Sequence, residues 1–277
     1  MQTNKTPDIR LEGLTVGYGK TAVVSDIDVT LPGGKISVIL GGSGCGKSTL
    51  LKHILMLQPA LTGRIMIGSH DLDKLDRRGK HCLRQRMGVL FQDGALLGSL
   101  SLGDNVALPL REHTRLDEKT IRQRVLAKLA LVGLDEFHDY YPNELSGGMR
   151  KRAGLARGMV MDPPLLFCDE PTSGLDPVTA AELDLLLLEL KKSFEMTLVV
   201  VSHDLDSMRT IADHVVVLGE GKVLFNGTRD ELEATTDEYL RRFLDRQALE
   251  RTSPRLTMPA LDVTVMKRDC SKYLSEA

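Results

Sequence analysis

The 277-residue chain has no tryptophan, few aromatic residues and no large excess of charge of either sign. With a formal net charge of −2, the composition offers no sign of a nucleic-acid partner. An aromatic content of 4% also argues against a platform on which single-stranded bases would stack. No run in the sequence approaches the roughly 18–20 apolar residues that cross a bilayer. We therefore expect any role at a membrane to depend on a partner.

Cysteine is also scarce, and its four occurrences have neither metal-type nor disulfide-type spacing. Residues 1–9 are polar and lack the apolar core of a secretory signal. Both features predict a cytosolic chain whose thiols stay reduced. The thiols concerned are Cys45, Cys82, Cys168 and Cys270.

Short apolar runs separated by Gly, Asp and Pro predict strands, with helical segments between them. The predicted strands are 9–16, 24–31, 36–40, 165–168, 198–201 and 214–218, with a further pair at 64–68 and 87–91. A helix should begin near Lys47, and Asp176 followed by Pro177 predicts a second helix that runs to Ser193. The alternation of strands and helices predicts an α/β fold with a mainly parallel sheet.

From about residue 93 to 161 the pattern becomes helical, which predicts a helical subdomain inserted in the α/β core. Apolar residues recur at helical spacing from Ile121 to Val132, and Asp117 is placed to cap that helix. The basic run Arg150–Arg152 is interpreted as a solvated helix face. Periodicity is lost near Arg251, so residues 251–277 are predicted to form a C-terminal tail after a domain of residues 1–250.

The segment Gly41–Ser48 fits the phosphate-loop pattern G-x-x-x-x-G-K-[ST] between a predicted strand and a predicted helix. Its glycines let successive backbone N–H groups turn toward phosphate oxygens at a helix N-terminus. Lys47 supplies a cation for the β- and γ-phosphates, and the Ser48 hydroxyl is a ligand for Mg²⁺. The segment therefore predicts a nucleotide site.

Two strands downstream end in polar residues that suit phosphate chemistry. Asp169 and Glu170 end an apolar run. Asp169 is predicted to hold Mg²⁺. Glu170 is predicted to polarise the attacking water or, alternatively, to form a salt bridge at the end of the strand. His203 ends a further apolar run and is interpreted either as a γ-phosphate contact or as an ordinary turn residue.

Together these residues resemble the nucleotide-binding domain of ABC transporters from about Ile9 to Gln247. Leu145–Met149 (LSGGM) is similar to the family signature LSGGQ, with Met149 in place of Gln. The resemblance implies a RecA-like P-loop NTPase core with an antiparallel β subdomain and the helical insertion. It also implies a homodimer with composite sites, because in the family the signature closes over the nucleotide of the other subunit.

The resemblance implies roles for further residues. Tyr18 corresponds to the aromatic residue that stacks on adenine, Gln92 to the glutamine that reaches Mg²⁺, and Asp176 to a residue that contacts the partner subunit. At the His203 position the family has a histidine that senses the γ-phosphate, which makes Glu170, His203 and Lys47 the expected catalytic set. The residues expected to bind ATP are Tyr18, Gly41, Gly42, Ser43, Gly44, Cys45, Gly46, Lys47, Ser48, Thr49, Gln92, Ser146, Gly147, Gly148 and Asp176, and those expected to hold Mg²⁺ are Ser48, Gln92 and Asp169.

The segments Phe91–Leu100 and Asn105–Thr114, together with the Met149 signature, are similar to the Mla/Mce type of lipid-transport ATPase. That similarity implies attachment to the cytoplasmic face of the inner membrane through permease subunits. A periplasmic lipid-binding protein and a small regulatory subunit are further partners that it implies. ATPases of amino-acid or metal importers, and ABC ATPases without a transport role, are the alternatives.

Overall fold

The computed structural model describes residues 6–246. The tail predicted at 251–277, interpreted as a frayed terminus or as a segment that reaches the partner subunit, lies outside the described residues. None of the helices in the described part of the chain is long and apolar enough to span a bilayer.

The strands of residues 6–246 agree with most of the predicted runs. They are β1 (Ile9–Tyr18), β2 (Thr21–Leu31), β3 (Ile36–Gly41), β4 (Thr62–Ile67), β5 (His70–Asp71), β6 (Met87–Leu90), β7 (Leu165–Asp169), β8 (Thr197–Ser202), β9 (His214–Gly219) and β10 (Lys222–Thr228). The predictions missed β5, which has only two residues, and β10, whose residues are mostly half-exposed.

Six strands form one sheet in the order β10-β9-β3-β8-β7-β6, and all of its pairings are parallel except that of β10 with β9. Successive residues of its central strands point to opposite faces, and both faces are buried. In β3, for example, Val38 packs in the hydrophobic cluster on one face and Ile39 in the cluster on the other. This explains why the central strands have continuous apolar sequences.

The other sheet is antiparallel, in the order β2-β1-β4-β5. Strands β4 and β6, which the sequence suggested as a pair, lie in different sheets. Residues of this smaller sheet share a hydrophobic cluster with one face of the parallel sheet; Leu14 and Ile27 lie there together with Phe167.

The helices of the described residues are α1 (Lys47–Ile54), α2 (Arg77–Arg84), α3 (Leu102–His113), α4 (Glu118–Leu131), α5 (Gly147–Met159), α6 (Pro177–Phe194), α7 (Leu205–Ile211), α8 (Arg229–Glu233) and α9 (Glu238–Leu244). Both predicted N-caps form: Asp117 accepts a hydrogen bond from the Thr120 amide at 2.7 Å, and Asp176 accepts from the amides of Val178 and Thr179. Helices α3, α4 and α5 follow β6 and precede β7 in the sequence. Their apolar residues belong to the same hydrophobic cluster as the second face of the parallel sheet.

Helix α5 approaches β6 so closely that backbone meets backbone. A Cβ atom on Gly88 in β6 would collide with the carbonyl group of Gly158 in α5. A Cβ atom on Gly154 would approach the backbone of Gly94 within 2.9 Å. Glycine is therefore required at both contacts.

The basic run at the start of α5 differs from its interpretation as a solvated face. Lys151 is only 5% exposed, and its ammonium contacts backbone oxygens of the segment after β7. Arg150 and Arg152 remain partly exposed. Helix geometry explains the difference, because Lys151 falls on the buried stripe of α5 with Gly148 and Leu155.

Candidate functional site

The phosphate loop connects the end of β3 to the start of α1, at the carboxyl edge of the parallel sheet. Gly46 has a left-handed backbone conformation (φ +103°), and a Cβ atom there would collide with the Val24 side chain. Helix α1 has no side-chain cap and no acidic residue in its first turn. Its first amides and its partial positive charge are therefore directed toward the loop, as an anion site requires.

Lys47 lies under this loop with 7% of its surface exposed. Its ammonium donates to the carbonyl oxygens of Gly41 at 2.9 Å and Gly42 at 3.1 Å, and lies 3.8 Å from Oε1 of Glu170. An ammonium has three donors, and two are used on the loop itself. The third remains for a further acceptor.

Two oxygen groups suited to Mg²⁺ meet beside the loop. The Ser48 hydroxyl donates to Oδ1 of Asp169 at 3.2 Å. Burial raises the pKa of Asp169 above its ordinary value, and Glu170 adds to this, while Ser48, Lys52 and Lys47 oppose it. No cluster of three or more His, Cys, Asp or Glu ligands was found in residues 6–246. Mg²⁺ needs no such cluster, because it uses one or two protein oxygens together with substrate phosphates and water, so the pair fits it.

Glu170 and His203 come from the adjacent strands β7 and β8 and meet at the same edge of the sheet. Nδ1 of His203 lies 2.7 Å from Oε2 of Glu170. The tautomer protonated at Nδ1 would donate to this carboxylate, which leaves Nε2 free to face a substrate. The Glu170 carboxylate is thus held between Lys47 and His203.

The backbone of Glu170 is itself unusual for a side-chain-bearing residue, with φ at +51°. Its amide donates to the Val201 carbonyl oxygen at 2.8 Å, and its carbonyl oxygen accepts from the Ser173 amide and hydroxyl. These bonds hold the turn in a conformation that is otherwise unfavourable.

Tyr18 lies at the end of β1 near the loop. Its hydroxyl is 3.1 Å from Oγ1 of Thr49 in α1, and 49% of its surface is exposed. An exposed ring beside a phosphate loop suits stacking on a nucleotide base. Gln92 is exposed in the turn after β6, on the far side of β8 and β7 from the loop strand.

The signature segment begins α5, where Ser146 caps the helix by accepting a hydrogen bond from the Met149 amide at 3.2 Å. The first turn of α5 has no acidic residue. Helix α5 packs on β6, and β7 and β8 separate β6 from β3, the strand that leads into the phosphate loop. The structure therefore groups Lys47, Ser48, Asp169, Glu170 and His203 at one edge. The Ser146–Gly148 segment begins a helix that packs on a different strand, β6.

One residue at this edge was missed by the sequence predictions. The Lys151 ammonium donates to the Glu170 carbonyl oxygen at 3.2 Å. Its place on the buried stripe of α5 was the available signal, and the basic residues on either side obscured it.

Comparison with known proteins is consistent across sequence and structure. The profile of the ABC transporter family matches residues 24–173. The intermembrane phospholipid transport system ATP-binding protein MlaF of Escherichia coli K12 is 40% identical over 227 residues, which cover 82% of this chain and 84% of MlaF. MlaF of Haemophilus influenzae is 40% identical over 85% of this chain and 89% of its own length.

A mycobacterial relative is also similar. The probable ribonucleotide transport ATP-binding protein mkl of Mycobacterium tuberculosis H37Rv is 43% identical over 237 residues, or 86% of this chain. The match spans only 66% of mkl, so this chain covers slightly less than two thirds of that relative.

Among solved structures, cbiO1 of Clostridium perfringens, part of the ABC transporter complex cbiONQ, superposes with a TM-score of 0.75 at 32% identity, over 85% of this chain and 94% of cbiO1. The ATP-binding cassette MJ0796, in a dimeric post-hydrolysis structure with ADP and Pi, superposes with a TM-score of 0.73 at 29% identity. That match covers 79% of this chain and 98% of the cassette.

Proposed function

This chain belongs to the ABC transporter ATP-binding family, and from that premise we propose that it hydrolyses ATP as a homodimer and powers the transport of phospholipid. The observation that carries the hydrolytic part is the Glu170 carboxylate held between Lys47 and His203 beside an uncapped helix N-terminus.

The proposed chemistry assigns one task to each group at the sheet edge. The amides of the loop and of α1 bind the phosphates, and Lys47 turns its remaining donor to the γ-phosphate. Mg²⁺ held by Ser48 and Asp169, with Gln92 as a further ligand, would neutralise phosphate charge. Glu170 accepts a hydrogen bond from the attacking water and orients it in line with the γ-phosphate. When both ring nitrogens carry a proton, His203 can donate to Glu170 through Nδ1 and to a γ-phosphate oxygen through Nε2.

Dimerisation follows from the separation of the two anion-binding segments in one chain. The N-terminus of α5 lacks acidic residues and presents Ser146, Gly147 and Gly148, and α5 packs on β6, which β7 and β8 separate from the loop strand β3. A second copy related by two-fold symmetry would bring its α5 over the first loop and receive the same in return. Each ATP would then lie between two chains, with Asp176 near the interface.

The membrane partner is proposed to bind in a cavity of about 1040 Å³ beside Phe91. Apolar side chains form part of its lining, including Met87, Val89 and Leu108. Four arginines and two histidines also line it, and no Asp or Glu occurs among its lining residues in the described part of the chain. These features suit a permease segment with an apolar face and acidic flanks. The dimer would thereby sit at the cytoplasmic face of the inner membrane.

Phospholipid is the proposed cargo because the two MlaF relatives carry that function in their names and the matches span 84% and 89% of their lengths. The similarity of residues 91–114 to Mla/Mce-type ATPases supports it, since those residues supply Phe91, Leu108, Pro109 and His113 to the same cavity. A periplasmic lipid-binding protein and a small regulatory subunit complete the proposed assembly. The mkl relatives favour ribonucleotide as the second candidate cargo.

Co-expression with candidate permeases tests the assembly. We expect an Mla-type permease to co-purify and amino-acid or metal permeases not to. Arg78→Glu combined with Arg84→Glu should reduce recovery at least about tenfold while basal ATPase activity persists, because like charges would face the acidic segment. Arg122→Glu, on the exposed side of α4, is the matched control.

The cargo is tested with the recovered complex in proteoliposomes. ATP-dependent movement of a fluorescent phospholipid, absent with Glu170→Gln, would support the proposal. ATP-dependent movement of ribonucleotide alone would replace it with the second candidate. Recovery with an amino-acid permease would refute the lipid assignment and leave the ATPase assignment standing.

A further inference from the structure

A buried lysine connects the helix of the signature segment to the turn that carries Glu170. Lys151 is in the second turn of α5, and its ammonium donates to the Glu170 carbonyl oxygen at 3.2 Å. The same ammonium donates to the Ser173 carbonyl oxygen at 2.5 Å and to the Ser173 hydroxyl at 3.3 Å. One cation thus holds three oxygen atoms of a single turn.

That turn contains a residue whose backbone is strained. Glu170 adopts a left-handed backbone conformation that residues with a Cβ atom rarely adopt. Such a conformation persists only where surrounding groups hold it. The donors to its carbonyl oxygen are the Ser173 amide, the Ser173 hydroxyl and Lys151, and Lys151 alone among these belongs to another element of the fold.

Packing does not explain why this position carries a charge. Burial lowers the pKa of Lys151, and the carboxylates of Asp93 and Glu170 oppose this only in part. An apolar side chain of similar length would fill the space without the cost of desolvating an ammonium. What an apolar side chain cannot do is donate to the oxygens of the Glu170–Ser173 turn.

We propose that Lys151 is a positioning residue for ATP hydrolysis, which holds the Glu170–Ser173 turn so that the Glu170 carboxylate stays aimed at the attacking water. This inference rests on the proposed function, in which Glu170 orients that water. Lys151 acts through Glu170 and does not itself contact the nucleotide.

Lys151 also connects the two nucleotide sites of the proposed dimer. Glu170 serves the ATP bound by its own chain, whereas the N-terminus of α5 serves the ATP of the second copy. Lys151 lies on α5 and bonds to the turn that contains Glu170. It therefore connects the site that binds this chain's own ATP with the helix that contacts the ATP of the second copy. A displacement of α5 would therefore shift Glu170, the proposed general base, through its bond to the Lys151 ammonium.

The test is Lys151→Met, which keeps the length of the side chain and removes its donors. We expect kcat per nucleotide-binding chain to fall about 10- to 100-fold, the effect of losing a charged hydrogen-bond donor, and the Kd for ATP to change less than about twofold. Normalising to bound nucleotide removes the contribution of misfolded chains. Arg152→Met is the control, because the neighbouring arginine pairs with Glu182 at the surface and should leave both constants unchanged.

A double-mutant cycle separates positioning from a general structural role. In a Glu170→Gln background, Lys151→Met should lower the residual rate by less than about threefold, since the group that it positions has already been removed. A full 10- to 100-fold further loss in that background would overturn the proposal.

If the methionine variant fails to fold, Lys151→Gln serves instead, because it remains polar but is too short to span the turn and should also lose at least about tenfold in kcat. A wild-type rate in a folded Lys151→Gln or Lys151→Met variant would overturn the inference and leave the proposed function intact. Absence of ATPase activity in the wild-type chain itself would instead defeat the proposed function.

Discussion

Nδ1 of His203 lies 2.7 Å from Oε2 of Glu170, although the two residues are 33 positions apart in the sequence. Strands β7 and β8 are parallel neighbours, so their carboxyl ends deliver both side chains to the same edge of the sheet. Glu170 has 13% of its side chain exposed and His203 has 60%. A protected carboxylate is therefore bonded to a histidine that solvent and substrate can reach.

Glu170→Gln should lower kcat by about 10²–10⁴-fold, because an amide cannot accept the proton of the attacking water. ATP binding and ATP-dependent dimerisation should persist, since the phosphate loop is untouched. Steady-state ATPase assays and size-exclusion chromatography with ATP would measure both. Hydrolysis at the wild-type rate would show that Glu170 is not the base.

His203→Ala should lower kcat by at least about 10²-fold, because it removes both the bond to Glu170 and the contact proposed for the γ-phosphate. The Kd for ATP should change little. His70→Ala, an exposed histidine of β5, is the matched control and should hydrolyse ATP normally. Equal rates for the two alanine variants would contradict the role of His203.

Tyr18→Ala should raise the KM for ATP about 5- to 100-fold, the range expected for losing a stack on one base, with kcat nearly unchanged. Tyr18→Phe should lose little, because it keeps the ring and sacrifices only the hydroxyl contact with Thr49. Tyr140→Ala removes a comparably exposed tyrosine from the helical region and controls for surface effects. A high KM in Tyr18→Phe would mean that the hydroxyl, and not the ring, matters.

Asp184 supplies a prediction about stability and pH. It is 4% exposed in α6, its Oδ1 accepts from the Ser207 hydroxyl at 2.8 Å, and burial raises its pKa to about 6 with a smaller contribution from Asp204. Because the folded pKa exceeds the unfolded value, the stabilising contribution is full below about pH 3.8 and is lost as the pH rises through about 6.

Asp184→Asn cannot ionise and keeps an oxygen acceptor for Ser207. Its free energy of unfolding at pH 8 should exceed that of the wild type by about 1–3 kcal/mol, and the difference should shrink at pH 5. Urea unfolding at the two pH values measures this. A wild-type advantage at pH 8 would show that the ionised carboxylate has a partner that compensates for its burial.

Sequence patterns predicted the parts of the fold in which burial is uniform. Residues 36–41 are buried at every position, so their apolar run was visible without any structure. β10 was missed because none of its residues is fully buried, and β5 was missed because two residues are too few to show a periodic pattern. The pairing of 64–68 with 87–91 was wrong because the choice of neighbouring strands depends on contacts distant in the chain, and the two strands lie in different sheets.

The position of the phosphate loop, Gly41 to Ser48, could be predicted because its sequence pattern lies between a predicted strand and a predicted helix. The bond between Glu170 and His203 could only be expected in outline, because it depends on which strands become neighbours. Lys151 escaped prediction because a run of three basic residues looks the same whether all of them face solvent or one turns inward. The roles of the individual residues in catalysis and in binding ATP and Mg²⁺ stay predictions, including those of Tyr18, Gln92 and Ser146.

The glycine contacts between α5 and the segment around β6 have a mechanical consequence. Where Gly154 meets Gly94 and Gly158 meets Gly88, no rotamer lies between the two backbones to yield when one of them shifts. A displacement of the loop after Phe91 would therefore move α5 directly, because no side chain lies between the two backbones to absorb it. A single methyl group added at Gly154 would force α5 away from the backbone of Gly94 and weaken this direct coupling.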